Sequence, residues 1–165
     1  MAIKPVGVGR DPLKVVERAI HLRDKKKAEG VPFDAVWAVI DVDEHSGLSA
    51  ALALAKAEGV KIVLSNPCFE VWLALHEKSH GAHLTSQAAG DLARSLGVCT
   101  GKHINEPQLM GKYEIARGNA QLLRNTHARA GRISPQNNPS TNADDLIEEM
   151  IATSKSPNDA IRRSL

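Results

Sequence analysis

Two short apolar runs, at 36–40 and 60–64, set the pattern of this chain. Each has the length of a buried parallel strand, in which both faces are covered and hydrophobic positions need not alternate. The first ends in Asp41-Val42-Asp43-Glu44 and the second in Ser65-Asn66-Pro67. Between them, positions 48–57 form an alanine-rich helical stretch that closes at Gly59. Upstream, Asp11 and Pro12 supply an N-cap and a first helical residue. Leu13, Val16 and Ile20 then recur at the helical period, and Lys25, Lys26, Lys27 and Gly30 mark the end of that helix. Positions 3–8 alternate loosely and meet Gly7 and Gly9, which predicts a short strand and turn. Asn66 predicts an N-cap for a helix over 67–77, with Pro67 at its first position and Glu70 in the first turn, where the dipole favours an acid.

The second half reads differently. Positions 84–96 and 106–130 have helical character, whereas 97–105 and 131–142 are polar connectors rich in Gly, Asn, Ser and Pro. A final amphipathic helix is predicted over 144–153, with Thr141 or Asn142 near its cap and a fraying tail beyond it. Strands alternating with helices predict an α/β fold: a parallel sheet flanked by helices, joined by right-handed crossovers, with a mostly helical C-terminal half. The expected organisation is an α/β core over 1–80, a helical extension packed on it over 81–153, and a flexible tail over 154–165.

Composition narrows the function classes. The 165 residues suffice for one domain with a buried core. A net charge of +2 gives bulk electrostatics no preferred partner. Two cysteines make no disulfide framework, which points to a cytoplasmic protein. No apolar run reaches the roughly 18–20 residues that span a bilayer, so no membrane partner is expected. Aromatic residues are 3% of the chain, too few for base stacking to be the main binding mode.

The chemistry concentrates at the two strand ends. Asp41 and Asp43 sit two apart just past a strand, so both can aim to the same side of the sheet's C-terminal rim, where ligands of open parallel sheets bind. Paired carboxylates there suit Mg²⁺ or Mn²⁺, which take oxygen ligands. An Asp-x-Asp pair also opens ordinary loops and caps ordinary helices, and spacing alone leaves both readings open. Glu44 and His45 fit a solvated loop. Ser65, Asn66 and Glu70 belong to the neighbouring strand end and share that rim, although capping and the helix dipole account for them equally well. Phe69, Trp72, Leu73 and His76 form one helical face with the character of a core. Among the basic residues, Arg10 follows a glycine at a strand end and is the best phosphate candidate, while the lysine run suits a solvated face. His80, His83, His103 and His127 show no metal-ligand spacing.

Three blocks together resemble a known family. They are Val-Trp-Ala-Val-Ile-Asp-Val-Asp-Glu, then Ser-Asn-Pro-Cys-Phe-Glu-Val-Trp-Leu-Ala-Leu-His, then Asn-Asn-Pro-Ser-Thr-Asn before the last helix. They are similar to the RloB-like proteins, which occur beside restriction–modification and abortive-infection systems, often next to an ATPase gene. The resemblance runs from about Val6 to Met150, with Lys102, Tyr113 and the Asn138-Pro139-Ser140-Thr141 turn as less specific positions. It implies a Toprim-like core, the phosphodiester-handling module of topoisomerases and primases. It further implies metal ligation by Asp41 and Asp43, and it assigns no role to the family-specific neighbours Asn66, Glu70 and His76. Glu70 is the candidate catalytic residue beside the pair, and Arg10, Ser65, Asn66, His76 and Lys102 are the candidate substrate contacts. The implied function is a phage-defence nuclease that uses Mg²⁺ or Mn²⁺ to cut DNA or RNA.

The chain departs from the pattern in one respect. Toprim chemistry also uses a glutamate on the first strand, within a Glu-Gly-x-x-Thr-Glu segment in RloB-like chains, and this sequence contains none. Either the chain begins after that segment or the residue has been lost. The departure keeps a second reading in play, a non-catalytic partner or sensor subunit for an ATPase of a defence operon. A third is a haloacid-dehalogenase-like phosphatase with Asp41 as nucleophile and Asp43 as acid/base. Against the third, a strand and a helix precede Asp41, and the next helix begins too soon for that fold's loop and flap.

Overall fold

The computed structural model describes residues 3–7, 11–42, 47–101, 103–133 and 135–162. Among these the order is α1 (Pro12–Ala28), β1 (Trp37–Asp41), α2 (Leu48–Glu58), β2 (Lys61–Asn66), α3 (Glu70–Leu75), α4 (Ser86–Ser95), β3 (Cys99–Thr100), β4 (His103–Ile104), α5 (Glu106–Leu109), α6 (Tyr113–Arg129), β5 (Ser140–Thr141) and α7 (Ala143–Arg162). The class is mixed α/β with a small mixed sheet. In it β1 pairs with β2 in parallel, and β2 pairs with β5 antiparallel. A separate hairpin joins β3 to β4. None of the described helices is long and apolar enough to cross a membrane.

The local signals at the first helices act as read. Asp11 accepts hydrogen bonds from the amides of Leu13 and Lys14 at 3.0 and 3.4 Å, and Pro12 follows it at the first helical position. Gly59 ends α2 at φ 66°, a left-handed conformation that costs glycine little because it has no Cβ.

Side chains alternate across the sheet as strand geometry requires. Ala38 and Ile40 of β1 join Ile62 and Leu64 of β2 against α1 and α2, around Val16, Ala51 and Ala55. Trp37 and Val63 face the other side, where Trp72, Leu75, Ala89, Ala116, Ala120 and Leu123 build a second core from α3, α4 and α6. The sheet therefore separates two apolar layers, with α7 adding Leu146 and Ile147 to the second.

Several expectations need correction. Residues 3–7 form no strand. Asn66 ends β2 instead of capping a helix, and α3 begins only at Glu70, with Phe69 at its N-cap and no side-chain cap bond. The Asn66 amide is already committed across the fold, donating to the carbonyl of Pro135 at 2.6 Å and accepting from Asn138 Nδ2 at 3.1 Å. The stretch 106–130 divides into α5 and α6 because Gly111 turns the chain at φ 76°. The polar connectors carry short strands, and β5 makes the sheet mixed. The last helix runs on to Arg162, past the end that the hydrophobic pattern predicts.

The join between β2 and α7 was invisible to periodicity. β5 supplies only Ser140 and Thr141, level with Asn66 and Ser65. Asn142 then continues the ladder with its side chain, accepting from the Leu64 amide at 2.7 Å and donating to the Ile62 carbonyl at 3.0 Å. One amide side chain thus satisfies two backbone groups that a longer strand would have paired.

Candidate functional site

The parallel register sets Asp41 beside Ser65, so β1 and β2 end level on one rim. Past Asn66 the chain turns through Pro67 and Cys68 back toward the end of β1. There the Phe69 amide donates to Asp41 Oδ1 at 3.0 Å. This bond fixes one oxygen of an exposed carboxylate, much as an outer-shell donor orients a metal ligand. Glu70 follows in the first turn of α3.

Cys68 lies between the two acids. It is 6% exposed, with Sγ 3.9 Å from the Ser86 carbonyl. Burial pushes its thiol well above the ordinary cysteine range, and the nearby carboxylates of Glu70 and Asp41 act in the same direction. The thiol is therefore held protonated, donating to the Ser86 carbonyl, and is not a nucleophile.

Asp41 and Glu70 open on a groove of about 1160 Å³ that runs along β1 between α1 and α7. Its charged lining includes Lys4, Arg18, Asp34 and Glu149. Carboxylates here are the donor type that a hard cation accepts. Among the described residues, no three His, Cys, Asp or Glu side chains are grouped so as to hold a metal ion.

The other residues singled out from the sequence fall in two groups. Arg10, Asp43 and Lys102, with Glu44 and His45, lie outside the described residues. Ser65, Asn66 and His76 are buried and bonded within the protein. Ser65 Oγ meets Thr141 Oγ1 at 2.9 Å and is fully buried. His76 Nδ1 donates to the Trp72 carbonyl at 3.0 Å, and its ring meets that of Trp72 edge-on with centroids 4.9 Å apart. Burial pulls the His76 imidazole below its ordinary pKa, which favours the neutral ring. Of the later arginines, Arg117 pairs with Glu114 and Glu148, and Arg124 with Asp144.

Sequence reading missed the residues that hold the rim in place. Asn138 accepts from the Leu84 amide at 2.9 Å and donates to the Leu84 carbonyl at 2.8 Å and to Asn66 Oδ1 at 3.1 Å. This clasp ties the connector before β5 to the turn that carries the Phe69 amide. The sequence signals were the repeated Asn-Pro pair at 66–67 and 138–139 and the place of the Asn138-Pro139-Ser140-Thr141 turn in the resemblance, neither of which revealed the bonds to Leu84 and Asn66.

The family model described as RloB-like protein matches residues 2–150. Comparison with curated proteins and with solved structures gives no significant match.

Proposed function

The chain belongs to the RloB-like family, and we propose that it is a phage-defence nuclease, cutting nucleic-acid phosphodiesters with Mg²⁺ or Mn²⁺ on a Toprim-like core. The observation that carries this reading is the oriented Asp41 carboxylate at the C-terminal end of a parallel strand, opening on the same groove as Glu70. Asp41 and Asp43 would hold the ion, with Glu70 beside them. The ion would supply charge neutralisation at the phosphate and an activated water.

The chain's own residues have distinct parts in this reading. The Phe69 amide keeps Asp41 turned toward the groove. Arg18 and Lys4, which line the groove, are the described cations available to a nucleic-acid backbone. Ser65 and Asn66 fix the height of β2 against β5 and so keep the two strand ends level.

The test is cleavage of labelled DNA and RNA with Mn²⁺ or Mg²⁺, using the wild type and Asp41→Ala at matched folded fraction. Cleavage by the wild type that chelation removes and Asp41→Ala lacks is the expected result. Equal cleavage by both proteins sinks the assignment. Glu70→Gln supplies a companion prediction. Glu70 lies in the first turn of α3, so the lost charge should change stability by under about 1 kcal/mol, the scale of a helix-dipole term. Metal-dependent cleavage should nevertheless fall if Glu70 serves the ion.

That no three His, Cys, Asp or Glu side chains among the described residues are grouped to hold a metal ion favours a second reading, in which the fold serves as a non-catalytic partner or sensor of an operon-encoded ATPase. Metal-independent capture of that ATPase, without cleavage by either subunit, would select it.

A further inference from the structure

Two sides of α6 are occupied within the protein. Ala116, Ala120, Leu123 and His127 are buried. On one flank Arg117 and Arg124 reach Glu148 and Asp144 of α7. The exposed face carries Ile115, Gly118, Leu122 and Arg129. It lies about 140° round the helix from both the buried face and the α7 flank, at 3.6 residues per turn. Ile115 and Leu122 are 52% and 55% exposed. Met110 and Ile133, just beyond the two ends of the helix, are 76% and 73% exposed, more than any other large apolar side chain described. Apolar groups gathered along one face in this way mark an interaction surface.

Gly118 sits in the middle of that face with no internal reason to be glycine. Its φ is not positive, and a Cβ built there would meet nothing within 4 Å. Glycine inside a helix is destabilising relative to alanine. What it offers is bare backbone that a second helix can approach closely. The ends of the face carry opposite charge. Glu114, in the first turn, pairs with Arg117 of its own helix yet leaves 75% of its side chain exposed. Arg129 is exposed in the last turn.

We propose that α6 packs antiparallel on α6 of a second copy of this chain, across a two-fold axis, with Leu122 of each copy seated on Gly118 of the other. The contact is self-complementary, as a two-fold interface must be. In this register Glu114 and Arg129 of opposite copies fall about 4.5 Å apart along the axis, within reach of their long side chains. Met110 at one end meets the connector that carries Ile133 at the other. A parallel pair would instead set acid against acid and base against base. The chain's own residues 3–7 do not cover this face, because they line the groove between α1 and α7. One helix pair is a small interface, so the dimer is expected with a Kd of about 10–100 µM.

Sedimentation velocity of the full chain, from about 5 to 500 µM, tests the proposal and should show a dimer growing in with concentration. Leu122→Glu should hold the protein monomeric throughout, with thermal unfolding of the dilute protein unchanged because both residues suit an exposed helix position. Gly118→Leu should weaken association about tenfold or more without destabilising the monomer, since the new side chain meets open space. Glu114→Arg should weaken it about fivefold, and adding Arg129→Glu should restore it. A wild type that stays monomeric at the top of the range overturns the proposal. So does a dimer that neither Leu122→Glu nor Gly118→Leu weakens. An unaltered Glu114→Arg dimer, or a paired swap that fails to restore association, overturns the antiparallel register.

Discussion

Replacing Arg124 with alanine is expected to cost about 3–5 kcal/mol of folding stability, the loss typical when one partner of a buried ion pair is removed. Asp144 is 1% exposed. Arg124 meets it with both arms of the guanidinium, Nη1 to Oδ1 at 2.7 Å and Nη2 to Oδ2 at 2.6 Å. Nη1 also donates to the Thr141 carbonyl at 2.6 Å, so one side chain joins α6, β5 and the start of α7. Without it, a carboxylate stays buried with no counter-charge. Against a typical total of about 5–15 kcal/mol, that loss threatens the fold itself. Arg124→Lys should recover only part of it, because an ammonium does not reproduce the two-armed contact. Urea unfolding of the three proteins measures the effect, and a loss below about 1 kcal/mol would show that the pair is not the tie described here.

Asn138→Ala is expected to cost about 2–3 kcal/mol, because it strands the Leu84 amide and carbonyl and removes a donor to Asn66. The consequence extends to the candidate site. Asn66 precedes the turn whose Phe69 amide orients Asp41, so loosening the clasp should broaden or shift the Phe69 amide resonance before global unfolding. Asn138→Asp keeps the acceptor for Leu84 but loses both donated bonds, and should fall between wild type and alanine. Thermal unfolding with amide spectra checks both claims, and an unmoved Phe69 signal in Asn138→Ala would separate the clasp from the rim.

The physics behind these sites explains what the sequence revealed and what it hid. β1 and β2 were legible because each is a run of apolar residues of strand length ending in polar ones. α1 and α2 were legible because Asp11, Pro12 and Gly59 are local signals, readable without tertiary contacts. Asn66 misled for the same reason. Asn-Pro before an apolar stretch is a valid local cap, but long-range bonds to Pro135 and Asn138 took the side chain elsewhere. β5 was hidden because two residues in a polar connector have no period, and their pairing depends on Ser65 and Thr141, 76 positions apart. Of the candidate site, Asp41 and Glu70 were identified as acids at strand ends. The roles of the Phe69 amide and the Cys68 thiol were not readable, since both depend on the path of a turn. The resemblance of the Ser-Asn-Pro-Cys-Phe-Glu block to RloB-like proteins agrees with the family match over residues 2–150.

The central claim is that the rim at Asp41 holds a divalent ion, and it can be measured apart from any substrate. Mn²⁺ binding, followed by the loss of the free-ion electron paramagnetic resonance signal, should show a site in the wild type that Asp41→Asn lacks. The substitution preserves side-chain size and an oxygen for the Phe69 amide while removing the charge. Wild type and Asp41→Asn that deplete the free-ion signal identically, or a wild type that leaves it untouched at millimolar Mn²⁺, would contradict the account.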